Sequence, residues 1–552
     1  MTSEEELSLL SLHQSQKLPH HCKLKYRLKW LKQKGALLVI IWSFLINSVW
    51  HFLALGFSNS SNRSQLQPTG IILIGSSLFY PVGGWLADSF LGRHRTIRYS
   101  TWIMWLTIIT ITLCQILMKV GVIKVSSDAN IGIFAVLFVF LCIGLGGFQA
   151  NIIQLGIDQL TEASSTEITS FITGYVVTLF TSGVAFHFIL IFNVCDTGVT
   201  QGHSLFTMLY VAVCVTLAVC VDFIFESCLV KERVPVTTNS VILIVRVVKY
   251  AFINRHHSFG RKAHALDIAK HSFGGSFINE HVEYVKTFFR MLVVIAIGTV
   301  VGSQLSILAL AQNDLELRFR DWSDHRCFAK ISIRYSAYLF GTAFVLLYEI
   351  LIYPLFNKCI PKITTMGVCL ISVVFSFMRV LAFLGIEVGT FLDQSGHDNN
   401  ITDTAGTKSC LYSGNPEIQF SSLWVLTIGS TEALYSLLLI LSGYQFMWAQ
   451  APSSMKGLVI GMMYAFLGLN AMLQSAISTP FLFIRQTPWE KAPLSCGIWY
   501  YSLQAIIVLI VFLVLTLLVK GYKQSQRSEV QLDRVSTVKP IVVSSDDPQP
   551  FT

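Results

Sequence analysis

Apolar and polar positions follow one another along this chain in long blocks. Runs of about twenty apolar residues, each enough for a helix to cross a bilayer, fall at 36–57, 70–90, 98–119, 131–155, 171–193, 205–229, 287–312, 333–356, 364–386, 422–447, 457–484 and 497–519. The pattern predicts an all-α membrane protein with twelve transmembrane helices in two six-helix halves. A hydrophilic stretch from Lys231 to Thr287 separates the halves. Five regions follow: a basic tail at 1–35, a bundle at 36–230, a connector at 231–286, a second bundle at 287–520 and a tail at 521–552. Within the connector, Val241–Tyr250 predicts an amphipathic helix on the membrane surface. Beyond Val530, Pro540, Pro548 and Pro550 mark a disordered tail suited to binding partners.

Composition agrees. Of 552 residues, 53% are hydrophobic and 13% charged, where soluble proteins carry about a quarter as charged residues. Mean hydropathy is +0.59. The formal charge of +9 lies beside the apolar runs, so the positive-inside rule explains it and a nucleic-acid partner is not expected. Lys23, Lys25, Arg27, Lys29, Lys32 and Lys34 precede the first run, and the connector and the chain after Lys520 are also basic. Both termini and the connector are therefore expected on the cytoplasmic side. Asn59, Asn62 and Asn400 head glycosylation sequons in loops that this topology makes exoplasmic. The acidic first residues are unlike a cleavable signal peptide.

Nine of the twelve cysteines fall into two sets. Cys114, Cys142, Cys214, Cys220 and Cys369 lie in spans and read as buried small hydrophobes. Cys195, Cys327, Cys410 and Cys496 fall in exoplasmic loops, where disulfides are permitted and three pairings are open. His20-His21-Cys22 has no zinc-site spacing, and no metal or other cofactor is expected.

The most informative segment is Gly83-Gly-Trp-Leu-Ala-Asp-Ser-Phe-Leu-Gly-Arg-His-Arg-Thr96. Its glycines permit close helix approach, and Asp88 sits where a span leaves the membrane, positioned for a closed-gate contact with a helix end. Gly84, Asp88, Arg93 and Arg95 are the gating candidates. Gly144, Gly146 and Gly147 form a small-residue packing face. Pro452 ends one helix, and Ser453 or Ser454 is expected to cap the next.

Four segments together resemble the proton-coupled oligopeptide transporter (POT) family of the major facilitator superfamily, nearest its peptide/histidine branch. They are Gly83–Thr96; Gly144-Leu-Gly-Gly-Phe-Gln-Ala-Asn151 with Gly156-Ile-Asp-Gln159; the pair Gln304 and Gln312; and Gly443-Tyr-Gln-Phe-Met-Trp-Ala-Gln-Ala-Pro-Ser-Ser-Met-Lys-Gly457. The resemblance implies a monomeric solute carrier that moves short peptides, histidine or related small solutes with protons as coupling ion.

The departures are as informative. The family's Glu-x-x-Glu-Arg pattern is absent from the first span, which has no Asp, Glu, Lys or Arg between Gly35 and Asn62, and the family's fourth-span lysine is Gln149. The two losses fit each other, because a lysine without its carboxylates would be costly in apolar surroundings. Phe180 stands near a family asparagine, and Ser436 where the family has a glutamate. Glu432 lies one turn before Ser436 on the same face, placed to replace that carboxylate. Glu349 in the eighth span and His187 in the fifth are the other proton-coupling candidates. Aromatic residues Tyr80, Tyr175, Trp424, Tyr444 and Trp448 are candidates to line a cavity. Gln304, Gln312 and Asn470 are candidates for its polar wall. Substrate contact is thus assigned to Tyr175, Gln304, Gln312, Glu432, Trp448 and Asn470.

Glu5 followed by Leu9-Leu10 resembles an acidic dileucine signal read by a sorting adaptor, so the plasma membrane and the endosome or lysosome are both open destinations. No motif gathers a nucleophile, base and orienting group, so an enzyme is not expected. Two function classes remain: a secondary transporter, coupled or merely equilibrating, and a transporter-shaped sensor or adaptor without flux.

Overall fold

The computed structural model describes residues 28–56, 68–122, 127–160, 163–191, 205–228, 239–254, 265–300, 326–348, 365–396, 423–483 and 496–521. Each of the twelve apolar runs coincides with a helix over its described part. The first half holds α1 (Lys34–Gly56), α2 (Pro68–Leu86), α3 (Arg93–Val120), α4 (Ser127–Gln149), α5 (Ser165–Leu190) and α6 (Leu205–Cys228). The second holds α7 (Asn279–Val300), α8 (Arg326–Leu347), α9 (Thr365–Gly396), α10 (Leu423–Gln450), α11 (Lys456–Phe483) and α12 (Cys496–Gly521). Among the described residues, eight helices are long and apolar enough to cross a membrane. Between the halves lies the connector helix Ser240–Ile253.

Helices suit this composition because a bilayer leaves backbone groups no water to bond, so each segment must satisfy its own. The hydroxyls within spans do likewise. In α3, Thr101, Thr107 and Thr112 donate to the carbonyls of Ile97, Ile103 and Ile108 at 2.9, 2.7 and 2.8 Å.

Two interruptions depart from the predicted runs, and both lie on one side of the bundle. After α2, Ala87–Leu91 forms a π-helical turn that ends at Gly92, whose φ of 80° suits glycine. After α4, the chain breaks at Ala150 and Asn151 before a short helix, Ile152–Asp158. The Asn151 amide bridges the break, donating to the carbonyls of Gly147 at 2.8 Å and Gly83 at 3.1 Å.

The halves meet along α2 and α11 and along α5 and α8. On the first seam, a Cβ at Gly84 would lie 2.1 Å from the Gly457 oxygen, and one at Gly461 would lie 2.4 Å from the Tyr80 oxygen. Gly457 and Gly461 form a small-xxx-small face that brings the backbones into contact. On the second seam, Gly183 faces the Tyr338 ring and Gly341 the Phe180 ring. The predicted small-residue face of α4 is equally tight, with Gly146 against the backbone of Phe79 and Gly147 against Ser100.

The span cysteines are less uniform than expected. Cys142 and Cys214 are buried, Cys114 and Cys369 are half-buried, and Cys220 faces outward. In a membrane protein an outward position is still apolar, so the residue type stays the same while its burial differs. Cys327 and Cys496 stand in the first turns of α8 and α12, whereas Cys195 and Cys410 lie outside the described residues.

Candidate functional site

The gating candidates are arranged around the π-helical turn. Its geometry aims Asp88, with a side chain 2% exposed, at the start of α11. Asp88 Oδ2 accepts from the Leu458 N–H at 3.0 Å. The first turn of a helix leaves backbone N–H groups unpaired and carries the positive end of the helix dipole. The cap predicted at Ser453 or Ser454 is therefore corrected. Ser453–Met455 forms a 3₁₀ turn with Pro452 before it, α11 starts only at Lys456, and the capping carboxylate comes from the other half of the molecule. Gly457 leaves room for this contact, since a Cβ there would sit 2.7 Å from Asn151 Oδ1 and 3.1 Å from the Asp88 carboxylate and would make those side chains shift.

Arg93 fixes this arrangement from α3. It pairs with Asp158 at 2.5 Å and stands 3.7 Å from Asp88. Arg95, the other basic gating candidate, points outward and is exposed. A second cluster lies beside it, where buried Asp222 of α6 takes Arg98 at 2.9 Å and His94 at 3.4 Å. The sequence reading missed Asp222, although an acid inside the 205–229 run is itself a signal.

A cavity of about 260 Å³ lies between the halves. Its first-half wall carries Asn47, His51, Tyr80, Gln149 and Phe180, and its second-half wall carries Glu432, Ser436 and Tyr464. Gln149 is the position where the resemblance places a lysine. Its amide donates to Asn47 Oδ1 of α1 at 3.4 Å and accepts from the Tyr175 hydroxyl of α5 at 3.1 Å. Asn47 also donates to Ser182 Oγ at 2.7 Å, and Ser182 reaches His51 Nε2 at 3.4 Å. The paired neutralisation read from sequence is thus realised as a buried, uncharged amide–phenol network linking α1, α4 and α5. Asn47 and His51 went unremarked in the sequence, although polar residues in an uncharged span are the visible trace.

Across the cavity, Glu432 of α10 forms an ion pair with Arg379 of α9. Both side chains are buried, at 6% and 2% exposure. Ser436 donates to Glu432 Oε1 at 3.3 Å, so the two positions share one face, as the i, i+4 spacing requires. Arg379 also lies over the Tyr435 ring at 5.6 Å. A buried ion pair stays only where its geometry offsets desolvation, and losing one partner strands the other. Arg379 was missed, yet an arginine inside the 364–386 run was there to be seen. Among the described lining residues Glu432 is the one acid, and none is Lys or Arg.

The remaining candidates fall around the cavity rather than on it. Tyr175 is buried behind Gln149 and meets Tyr444 edge to face at 5.6 Å. Tyr444 bonds the Tyr464 hydroxyl, and Tyr464 stacks on Tyr80 at 4.6 Å, which closes an aromatic floor across both halves. Trp448 is half-buried against the core. Asn470 donates to the Thr299 carbonyl, tying α11 to α7. His187 packs 5.6 Å from the Tyr335 ring at the α5–α8 seam. Gln304, Gln312, Glu349, the sequons at Asn59, Asn62 and Asn400, and the Glu5, Leu9 and Leu10 signal lie outside the described residues. Trp424 stands in the first turn of α10.

No family model matches the chain, and no curated protein matches it in sequence. Solved structures do. An auto-inhibited POT family peptide transporter superimposes with a TM-score of 0.60 at 15% identity, over 90% of this chain and 98% of its own. The POT family transporter PepTSo gives 0.56 at 14% identity, over 89% and 98%. A POT family transporter in complex with 5-aminolevulinic acid gives 0.54 at 14% identity, over 88% and 96%. At such identities the likeness is one of architecture: this multi-span membrane protein is built on the fold of the POT family peptide transporters.

Proposed function

We propose that the chain is a secondary transporter of the POT family that carries short peptides, histidine or related small solutes by alternating access. The supporting observation is the cavity between two halves, closed on one side by Asp88 of the first half bonded to the α11 terminus of the second. A solute held there is released when α2 and α11 part at Asp88 while the α5–α8 seam stays packed, and the gate side is assigned to the cytoplasm. Protons are the coupling ion, and Glu432 is their carrier. Protonating it removes the charge that holds Arg379, which loosens α9 from α10 and links proton uptake to movement of the second half.

Structural neighbours hold 5-aminolevulinic acid and a thioalcohol-conjugated peptide, which makes 5-aminolevulinic acid, a dipeptide and histidine the probes to use. The test is their uptake into proteoliposomes under an imposed proton gradient. Accumulation that a protonophore collapses supports the proposal, and Glu432→Gln removes that accumulation.

The uncharged Asn47–Gln149–Tyr175 network favours a second reading. With no ion pair between α1 and α4, the protein is a facilitator that only equilibrates its solute, or a transporter-shaped sensor. Solute uptake indifferent to the gradient distinguishes the facilitator, and ligand binding without uptake distinguishes the sensor.

A further inference from the structure

The connector helix Ser240–Ile253 takes no part in the cavity, yet its first turn is bonded to both halves beside the gate. Asn239 Oδ1 caps it by accepting from the Ile242 N–H at 3.1 Å, and accepts from the Trp85 indole of α2 at 3.1 Å. Ser240 donates to the Ser454 carbonyl in the 3₁₀ turn before α11. One face of the helix is covered, with Val247 packed among Ala269, Val282 and Val285. Among the described residues the opposite face is exposed. Ile242 is 45% exposed, Val245 56%, Phe252 66% and Ile253 61%, with Arg246 and Lys249 exposed among them. No acid occurs between Asn239 and Asn254.

We propose that this exposed face seats in the headgroup layer of the bilayer, with anionic headgroups as its partner. Three observations select lipid over a protein. The first is depth. Trp85, which bonds Asn239, meets Phe90 edge to face at 5.4 Å, and Phe90 is exposed in the π-helical turn after α2. Such aromatic residues anchor spans at headgroup level, so the helix begins there. The second is its make-up, in which aliphatic and phenyl side chains flank two cations without a carboxylate; this is the pattern of helices that lie in the interface plane. The third is charge, since basic residues beside a membrane draw anionic lipid. The seated helix then holds Trp85 and Ser454 together, so the membrane surface acts as an anvil against which the gate closes.

The test uses the full-length protein in phosphatidylcholine vesicles with and without phosphatidylserine. An environment-sensitive fluorescent amino acid is placed at position 252 by stop-codon suppression. Its emission is quenched by lipid carrying a nitroxide on the headgroup or by iodide in the water. The proposal expects strong quenching by the nitroxide lipid, weak quenching by iodide, and a further gain with phosphatidylserine. The double variant Arg246→Gln with Lys249→Gln loses the phosphatidylserine-dependent part. Free access to iodide with no effect of the nitroxide lipid overturns the proposal, as does a signal that follows protein concentration, which marks a second copy as the occupant. A variant that keeps its phosphatidylserine response also overturns it. If the double variant does not fold, the unsubstituted helix with the probe at 252 still decides. No readout requires transport, so the result is independent of what the cavity carries.

Discussion

Replacing Gly84 with alanine puts one methyl group where the two halves touch. Its carbon would lie 2.1 Å from the Gly457 oxygen, 2.4 Å from the Gly457 carbonyl carbon and 2.8 Å from the Leu458 nitrogen. All three are backbone atoms at the start of a helix and cannot turn aside as a side chain can. Ordinary contact begins at 3.4 Å, so α2 and α11 must part by more than about 1 Å, and overpacking of this kind costs about 1–3 kcal/mol. The Asp88–Leu458 bond, now 3.0 Å, is then stretched beyond hydrogen-bond range. A bond from a backbone N–H to a charged group contributes about 1.5–3 kcal/mol. Losing it alone raises the ratio of gate-open to gate-closed molecules about 10- to 150-fold. Gly132→Ala in α4 is the control, because a Cβ there meets nothing within 4 Å. Electron–electron resonance between labels on the gate-side ends of α2 and α11, in liposomes, reads the outcome. Gly84→Ala should lengthen the distance and broaden its distribution, and Gly132→Ala should leave both unchanged. A closed-gate distance unaltered by Gly84→Ala refutes the reasoning.

Three further predictions use other parts of the molecule. Arg379→Leu strands Glu432 as a buried carboxylate and should cost about 3–5 kcal/mol, seen as a lower unfolding midpoint in detergent; Arg379→Leu with Glu432→Leu should recover most of it. Tyr175→Phe leaves the Gln149 oxygen without its donor and should cost about 1–3 kcal/mol in the same assay, whereas Tyr210→Phe, outside the network, should cost less. In the connector, burial works against Glu283, but bonds to Lys270 and Lys286 hold its carboxyl below the ordinary 4.5. A lowered folded-state value means the stabilisation is complete above 4.5 and is lost as pH falls through the lowered value. Protection factors for hydrogen exchange at Val282 and Val285, corrected for the intrinsic slowing of exchange at low pH, should therefore fall only on acidification through that window.

The Asp88 contact was legible because its chemistry is local. Gly83–Thr96 carries the glycines, the acid and the arginines within one hairpin, and Asp88 meets a helix end as its position implied. The cap of α11 was misread because Ser453 and Ser454 are taken into a 3₁₀ turn before the helix starts, and the Leu458 N–H is met by a carboxylate from the other half of the chain. The Glu432–Ser436 relation followed from helical periodicity, but Arg379 did not, since pairing between α9 and α10 is a tertiary fact that no spacing encodes. The break at Ala150 was hidden for a similar reason. Its stretch reads as one apolar run, and only the Asn151 amide, reaching the Gly83 and Gly147 carbonyls, makes the interruption affordable. The neutral first span was plain from composition, whereas the network that replaces its charges had to be seen in three helices at once.

The most direct measurement is uptake of labelled dipeptide, histidine and 5-aminolevulinic acid into proteoliposomes holding the folded full-length protein, with the interior alkaline to the exterior. Carrier function driven through Glu432 predicts saturable accumulation of at least one probe above its equilibrium level, collapsing with a protonophore and absent in Glu432→Gln. Accumulation that survives Glu432→Gln unchanged, or no uptake and no binding of any probe, contradicts it.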